Sequence, residues 1–115
     1  MQITAMTFNI LIKQEEGLCV AHCLELDVVA TGDSFLEAQS EIIDLIKAQV
    51  SYAFCKDNLA YLYHPAPAEV WAEFYACKEM AQQELKVEPE EGSESLFVPP
   101  WIIANTCKTP HWCHV

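Results

Sequence analysis

The sequence predicts an α+β fold in which one long helix covers a small antiparallel sheet. Two apolar runs separated by a polar turn that ends in Gly17 indicate a β-hairpin. After Ser34, apolar residues recur at helical spacing. The 115 residues, 52% hydrophobic and 20% charged, suit a single globular domain. We therefore expect three strands, the long helix, a second inserted helix and a C-terminal edge strand.

The opening of the chain predicts three short strands joined by polar turns, over residues 7–13, 18–24 and 28–31. Side chains alternate between the two faces of a strand, so Cys19 and Cys23 share one face and His22 takes the other. This placement disfavours a Cys–His catalytic dyad. Because Cys19 and Cys23 would lie about 13 Å apart along the strand, we do not expect a disulfide between them.

The helix begins after residues that suit a cap. Ser34 and Glu37 have the spacing of a capping box, and we expect the helix to run to about Phe54. Its apolar stripe comprises Phe35, Ala38, Ile42, Ile43, Leu45, Ile46, Val50 and Phe54. Glu37, Glu41 and Asp44 fall on the opposite side. This pattern is typical of an amphipathic helix lying on a sheet.

The second half of the chain is less regular. Helical spacing predicts a helix over residues 68–85, and five glutamates between Glu84 and Ser95 indicate a solvated linker. A last strand over residues 96–106 contains two consecutive prolines, which favours an edge position. The single domain thus consists of four segments. They are a core over residues 7–54, an inserted helical region over 55–86, an acidic linker over 87–95, and a final strand with a Cys/His tail over 96–115.

The charge balance excludes some classes of function. Six lysines, no arginine and seventeen carboxylates give a net charge of -11. Nucleic-acid binding relies on cations that neutralise phosphates, so this chain is not expected to bind nucleic acid by itself. A basic protein partner, or solubility alone, would explain the carboxylates. No membrane-spanning run is present, and the first cation is Lys13, so neither a membrane protein nor a secretory signal is predicted. We expect a cytoplasmic protein.

The six cysteines predict no disulfide framework, because their density is below that of secreted scaffolds and no signal precedes them. Most are expected to be reduced and buried.

The C-terminal tail concentrates four candidate zinc ligands, Cys107, His111, Cys113 and His114. Their spacing matches no standard finger, Cys113 and His114 are adjacent, and packing of the tail through Trp101 and Trp112 is the simpler explanation. We therefore predict no cofactor, with zinc at these four residues as the alternative.

An aromatic group gathers in the second half of the chain. Aromatic residues often anchor interfaces, but in a small domain they also form a second core between a helix and the sheet. Both interpretations stay open for Tyr61, Tyr63, Trp71, Phe74, Tyr75, Trp101 and Trp112. His64 precedes Pro65 and is expected in a loop, with Glu69 and Glu73 on a solvated helix face.

Three stretches carry a resemblance to a known family: Phe8-Asn-Ile-Leu-Ile, Gly17-Leu-Cys-Val-Ala-His-Cys, and Thr31-Gly32-Asp33-Ser34 followed by Glu37-Ala38. From residue 7 to about residue 50 the chain resembles the HicB-like family, the antitoxin side of bacterial toxin–antitoxin pairs. The resemblance implies a partial ribonuclease H-like fold: a three-stranded meander, a helix and another strand. In such a turn the glycine permits the tight turn, the hydroxyl caps the helix, and the alanine lets the helix approach the sheet closely.

The resemblance also implies a function. HicB-like domains self-associate, and the antitoxins mask a small basic ribonuclease toxin. Such a toxin would meet Glu37, Glu41, Asp44 and the segment around Glu90. Antitoxins commonly continue into a DNA-binding module, but nothing after Leu85 resembles one. We therefore expect a non-enzymatic, homo-oligomeric protein-binding or regulatory domain.

Two alternatives remain from other classes. The first is an orphan metal- or thiol-responsive protein that uses the Cys/His tail. The second is a degenerate nuclease built on Glu25 and Asp27, which would share one side of an extended chain. Polar turn residues explain the same two carboxylates.

Overall fold

A computed structural model describes residues 5–56, 62–77, 80–86 and 101–108. Its elements in chain order are β1 (Ala5–Glu15), β2 (Leu18–Cys23), β3 (Val28–Gly32), α1 (Phe35–Cys55), α2 (Ala68–Tyr75), β4 (Met80–Lys86) and β5 (Trp101–Lys108). The strands form one five-stranded mixed sheet in the order β3-β2-β1-β5-β4. β1 and β5 are parallel, whereas the other neighbours are antiparallel. The α+β class is confirmed, with five strands where a three-stranded sheet was predicted.

The first hairpin is closed by a two-residue turn. Glu15 pairs with Leu18, so only Glu16 and Gly17 lie in the loop. Both have positive φ, 50° and 83° respectively. These angles match the type I′ turn, whose twist suits paired antiparallel strands. The polar turn ending in glycine therefore forms where the sequence predicts it.

The start of α1 packs tightly against the end of β3. Ser34 Oγ accepts a hydrogen bond from the Glu37 backbone N–H, and Glu37 Oε1 accepts one from the Asp33 N–H. A Cβ at Gly32 would lie 2.5 Å from the backbone nitrogen of Ala38, which is itself fully buried. The predicted cap and the close approach of helix to sheet are both present.

Two apolar clusters lie on opposite faces of the sheet. The main core lies between α1 and the sheet and includes Phe8, Ile10 and Ile12 of β1. The intervening residue Leu11 points the other way, as strand alternation requires. With its neighbours it forms a smaller cluster under α2, here called the satellite core, whose buried members are Leu11, Leu24, Ala66, Phe74 and Cys107. The molecule thus has three layers: α1, the sheet and α2.

The helix predicted over residues 68–85 is confirmed over residues 68–75 and is wrong after them. It ends at Tyr75, and residues 80–86 form β4, which pairs antiparallel with β5. The sequence of β4, Met-Ala-Gln-Gln-Glu-Leu-Lys, consists of good helix formers. Backbone pairing with β5 overrides that local preference. The inserted region is therefore a short helix followed by a strand.

The edge position predicted for the last strand is also wrong. β5 lies between β1 and β4 and is paired on both sides. The two prolines behind that prediction, Pro99 and Pro100, precede Trp101 and lie outside the described residues, as does most of the predicted acidic linker. Since proline cannot donate to a ladder, a strand that begins after both prolines is free to be central.

Several cysteines form disulfides, although the composition and the lack of a signal predicted reduced thiols. Cys77 and Cys107 form a disulfide with a Cα–Cα distance of 5.9 Å, and Cys19 is disulfide-bonded as well. Cys23 is free and buried, and burial raises the pKa of its thiol to about 12. The expectation of reduced cysteines therefore fails for Cys19, Cys77 and Cys107. The disulfide joins positions 30 residues apart, whose proximity only the tertiary fold creates.

Candidate functional site

The solvent side of α1 carries three carboxylates. Glu37, Glu41 and Asp44 are all exposed, while Ile42 and Ile46 are buried against the sheet. The spacing of three and four residues places the carboxylates on one stripe. Among the residues that the structure describes, ion pairs involve Lys13 and His22, and none involves Glu41 or Asp44.

Two large apolar side chains accompany these carboxylates. Leu36, near the start of α1, is 54% exposed, and Tyr52, near its end, is 56% exposed, so the two flank the carboxylate stripe on different sides of the helix. We call the set formed by Leu36, Glu37, Glu41, Asp44 and Tyr52 the acidic helix face. Apolar groups among charges are typical of a surface that can contact a protein, because apolar burial supplies affinity and charge supplies orientation.

On the opposite side of the sheet, a row of polar side chains crosses three strands. Gln82 Nε2 donates to Asn105 Oδ1 at 2.8 Å, and Asn105 Nδ2 donates to Asn9 Oδ1 at 3.1 Å. Asn9 then donates twice to Glu25: its Nδ2 to Oε2 at 2.6 Å and its backbone N–H to Oε1 at 2.7 Å. Asn9, Asn105 and Gln82 occupy matching register positions. We call this row the amide ladder.

The amide ladder is oriented toward a carboxylate. Every side-chain amide donates in the direction of Glu25, so the dipoles align and can strengthen one another. Burial raises the pKa of Glu25 from its ordinary value, and the hydrogen bonds from Asn9 only partly oppose this effect. Burial and the nearby charge of Glu25 likewise raise the pKa of Tyr63. Glu25 thereby ties the turn after β2 to Asn9 of β1, and the amide ladder links β1, β5 and β4.

The two turn carboxylates considered for nuclease chemistry have different partners. Glu25 binds Asn9, whereas Asp27 Oδ1 lies 2.6 Å from His22 Nε2. His22 points away from the buried faces of Cys19 and Cys23, as alternation predicts. Asp27 adopts a positive φ of 52°, which suits a turn. These contacts explain both carboxylates as turn residues, and the nuclease alternative gains no support from them.

The candidate zinc ligands are not assembled in the described part of the chain. Cys107 is bound in the disulfide and therefore has no thiolate to offer. His111, Cys113 and His114 lie outside the described residues. Residues 5–56, 62–77, 80–86 and 101–108 hold no group of three His, Cys, Asp or Glu side chains that could bind a metal ion. Zinc binding by the tail stays a prediction.

The aromatic residues divide between the two interpretations. Phe74 is buried in the satellite core and Trp71 packs against it. Tyr63 and Tyr75 are exposed, at 45% and 72%. Tyr61, Trp112 and the side chain of Trp101 lie outside what is described. His64 lies in the loop before α2, is exposed, and donates its backbone N–H to the Glu25 carbonyl.

Sequence reasoning missed the amide ladder completely. Asn9 interrupts an apolar strand, and a part-buried polar side chain at such a position is a signal that a partner exists. Nothing in the local sequence indicates Asn105 or Gln82 as that partner, because their strand pairing was not foreseen.

No helix in the described parts of the chain has the length and hydropathy needed to cross a membrane. Disulfides persist mainly in oxidising compartments, so these bonds weigh against the predicted cytoplasmic location, which stays a prediction. Comparison of the chain with models of protein families, with curated proteins and with solved structures found no match.

Proposed function

We propose that this chain is a non-enzymatic, HicB-like protein-binding domain that neutralises a small basic ribonuclease toxin through the acidic helix face. The observation that carries the proposal is the exposure of Glu37, Glu41 and Asp44 on one helix stripe. Exposed carboxylates beside Leu36 and Tyr52 complement a basic protein with some apolar surface.

The topology agrees with the fold that the resemblance implies. That fold is a three-stranded meander, a helix and a further strand, and β1, β2, β3, α1 and β5 follow that order, with α2 and β4 inserted between α1 and β5. The turn that carries the resemblance also has the expected contacts, with Ser34 as cap and Gly32 against Ala38.

The proposed domain acts on protein and not on DNA. The chain has no arginine and a net charge of -11, which repels a phosphate backbone. Self-association belongs to the proposal as well, as does the location in the cytoplasm where such a toxin would act.

The test uses isothermal titration of the full chain with a small basic ribonuclease toxin of the class paired with HicB-like antitoxins. We expect a complex that weakens when salt is raised from 50 to 500 mM, because exposed charges are screened. Replacing Glu41→Gln and Asp44→Asn together should weaken it about 5- to 30-fold at low salt, by roughly 1–2 kcal/mol for two rim charges.

The matched control is Glu16→Gln with Glu69→Gln, which removes the same charge from the hairpin turn and from α2. Equal losses in both double variants, or an affinity independent of salt, would contradict the acidic helix face as the binding surface. Divalent-metal-dependent RNA cleavage that Asp27→Asn abolishes would replace the proposal with the nuclease.

Of the four tail residues behind the metal- or thiol-responsive alternative, Cys107 lies within the described residues. Cys107 in its disulfide argues for thiol chemistry and against zinc at that position. Zinc at background levels in the purified protein and in Cys113→Ser alike would remove the metal part.

A further inference from the structure

The attachment of α2 to the sheet depends on few contacts. α2 has eight residues, which is too short for a helix to be stable by itself in water. Phe74 is its one buried residue. Glu73 forms an exposed ion pair with Lys13 at 3.1 Å, and such pairs contribute little. Val70 and Trp71 pack partly buried against the satellite core, and the disulfide between Cys77 and Cys107 adds a covalent attachment.

The two sulfurs of this disulfide have different surroundings. Cys107 is fully buried on β5, opposite Leu11 of β1. Cys77 is only partly buried, follows α2 by two positions, and donates its backbone N–H to the Phe74 carbonyl at 3.0 Å. Cys77 is therefore the more accessible of the two residues, so an attacking thiolate is expected at Cys77, with Cys107 as the leaving sulfur.

Loss of this attachment need not unfold the rest of the molecule. The satellite core and the main core lie on opposite faces of the sheet. α1 packs on the main core alone, and the capping contacts at Ser34 are remote from α2. Separate clusters of this kind allow one layer to open while the other stays folded.

We propose that the Cys77–Cys107 disulfide is a site of thiol–disulfide exchange that takes a dithiol reductant, and that its reduction releases α2 from the sheet. One thiolate of the dithiol attacks Cys77 Sγ, the Cys77–Cys107 bond breaks, and Cys107 leaves as a thiolate that takes up a proton. The second thiolate then attacks the mixed disulfide and releases Cys77. The dithiol is oxidised to its own disulfide by two electrons, and the protein gains two thiols.

Release of α2 changes the surface of the sheet. Leu11 and Leu24, both buried beneath α2, become accessible on the face that also carries Val29, which is already 50% exposed and is separated from Leu11 by His22. The reduced form thus presents an apolar surface that the oxidised form covers, whereas the acidic helix face is the same in both forms.

The first experiment treats the native full chain with dithiothreitol and then with iodoacetamide, and maps the alkylated cysteines by mass spectrometry. We expect Cys77 and Cys107 to be alkylated and buried Cys23 to stay unmodified, which serves as the internal control for folding. Reduction of this disulfide only in denaturant, or together with labelling of Cys23, would overturn the proposal.

The second experiment separates this disulfide from the one at Cys19. Amide hydrogen exchange is compared in wild type and in Cys77→Ser with Cys107→Ala, which retains the Cys19 disulfide. We expect exchange over residues 68–77 to rise at least tenfold in the variant and in reduced wild type, while α1 stays protected. Unchanged exchange over residues 68–77, or loss of protection in α1 as well, would show that the disulfide does not hold α2 locally.

Discussion

Gly32 lies where the start of α1 leaves no space for a side chain, since an added Cβ would lie 2.5 Å from the Ala38 nitrogen and 2.9 Å from Glu37 Cβ. The first of these atoms is backbone and cannot move without shifting the helix. We expect Gly32→Ala to lower the free energy of unfolding by about 3 kcal/mol, at the upper part of the range for overpacking. Urea denaturation measures this.

The matched control for Gly32 is Gly17→Ala. Gly17 has a positive φ of 83° but open space around it, so alanine there meets backbone strain alone, about 1 kcal/mol. If Gly32→Ala were no more costly than Gly17→Ala, the close packing of α1 on β3 would be incorrect.

Glu16 is the one residue of the hairpin turn that does not suit its conformation. Its φ is 50°, a region that asparagine and glycine favour in type I′ turns. We expect Glu16→Asn to stabilise the protein by up to about 1 kcal/mol, relieving left-handed strain. Thermal unfolding compared with Glu16→Ala, which removes the same charge without this preference, distinguishes conformation from electrostatics.

Glu25 makes the stability depend on pH in an uncommon direction. Burial raises its pKa in the folded state, so the folded state binds the proton more readily than the unfolded state does. Between the ordinary pKa of 4.5 and the raised value, this group therefore adds stability as the pH falls, by at most about 1.4 kcal/mol per pH unit. Above the raised pKa its ionised form costs stability.

The measurement is urea unfolding from pH 4 to pH 7 for wild type and Glu25→Gln. The wild type should gain stability relative to the variant as the pH is lowered through this window. A difference that shrinks toward low pH would mean that the donors from Asn9 outweigh burial, and the raised pKa would be wrong.

Among single residues, contacts between near neighbours in sequence were predictable. The Ser34–Glu37 cap follows from spacing, and the orientation of His22 follows from alternation. The amide ladder was not predictable, because Asn9 and Asn105 are 96 positions apart. Their meeting depends on a parallel strand pairing that no local pattern encodes.

Among the elements, α1 and the first three strands formed where the sequence predicted them, with shifts of one or two residues at most ends. The errors are confined to β4 and β5. Residues 80–86 have high helix propensity and become a strand through pairing with β5. The prolines were counted inside the last strand, whereas β5 begins at Trp101. Both errors concern long-range pairing.

The central position of β5 predicts its hydrogen-exchange behaviour. Amides of β5 are flanked by β1 and β4, whereas β3 and β4 each have one strand neighbour in the described sheet. We expect the amides of β5 to exchange at least tenfold more slowly than those of β4, because opening an edge exposes fewer hydrogen bonds. Comparable rates in β4 and β5 would support the edge position that the sequence suggested.

The whole molecule carries a net charge of -11, which acts in opposite ways on its two proposed associations. Copies of the chain repel one another, so homo-oligomers should become tighter as salt screens that repulsion. A complex with a basic partner should become weaker under the same conditions. Sedimentation equilibrium of the protein alone at 50 and 500 mM salt tests the first half. Oligomers that dissociate on adding salt would imply a specific attractive charge contact between copies.

The parallel pairing of β1 with β5 has a consequence for synthesis. At about 5–20 residues per second, a ribosome needs roughly 5 to 20 seconds to make the residues that separate these two strands. During that time the nascent meander can fold on α1, but the inner edge of β1 has no neighbour, and an open edge can recruit strands from other chains. Chains interrupted before residue 101 keep that edge permanently. Truncated products should therefore aggregate or be degraded, even though they contain all of the acidic helix face.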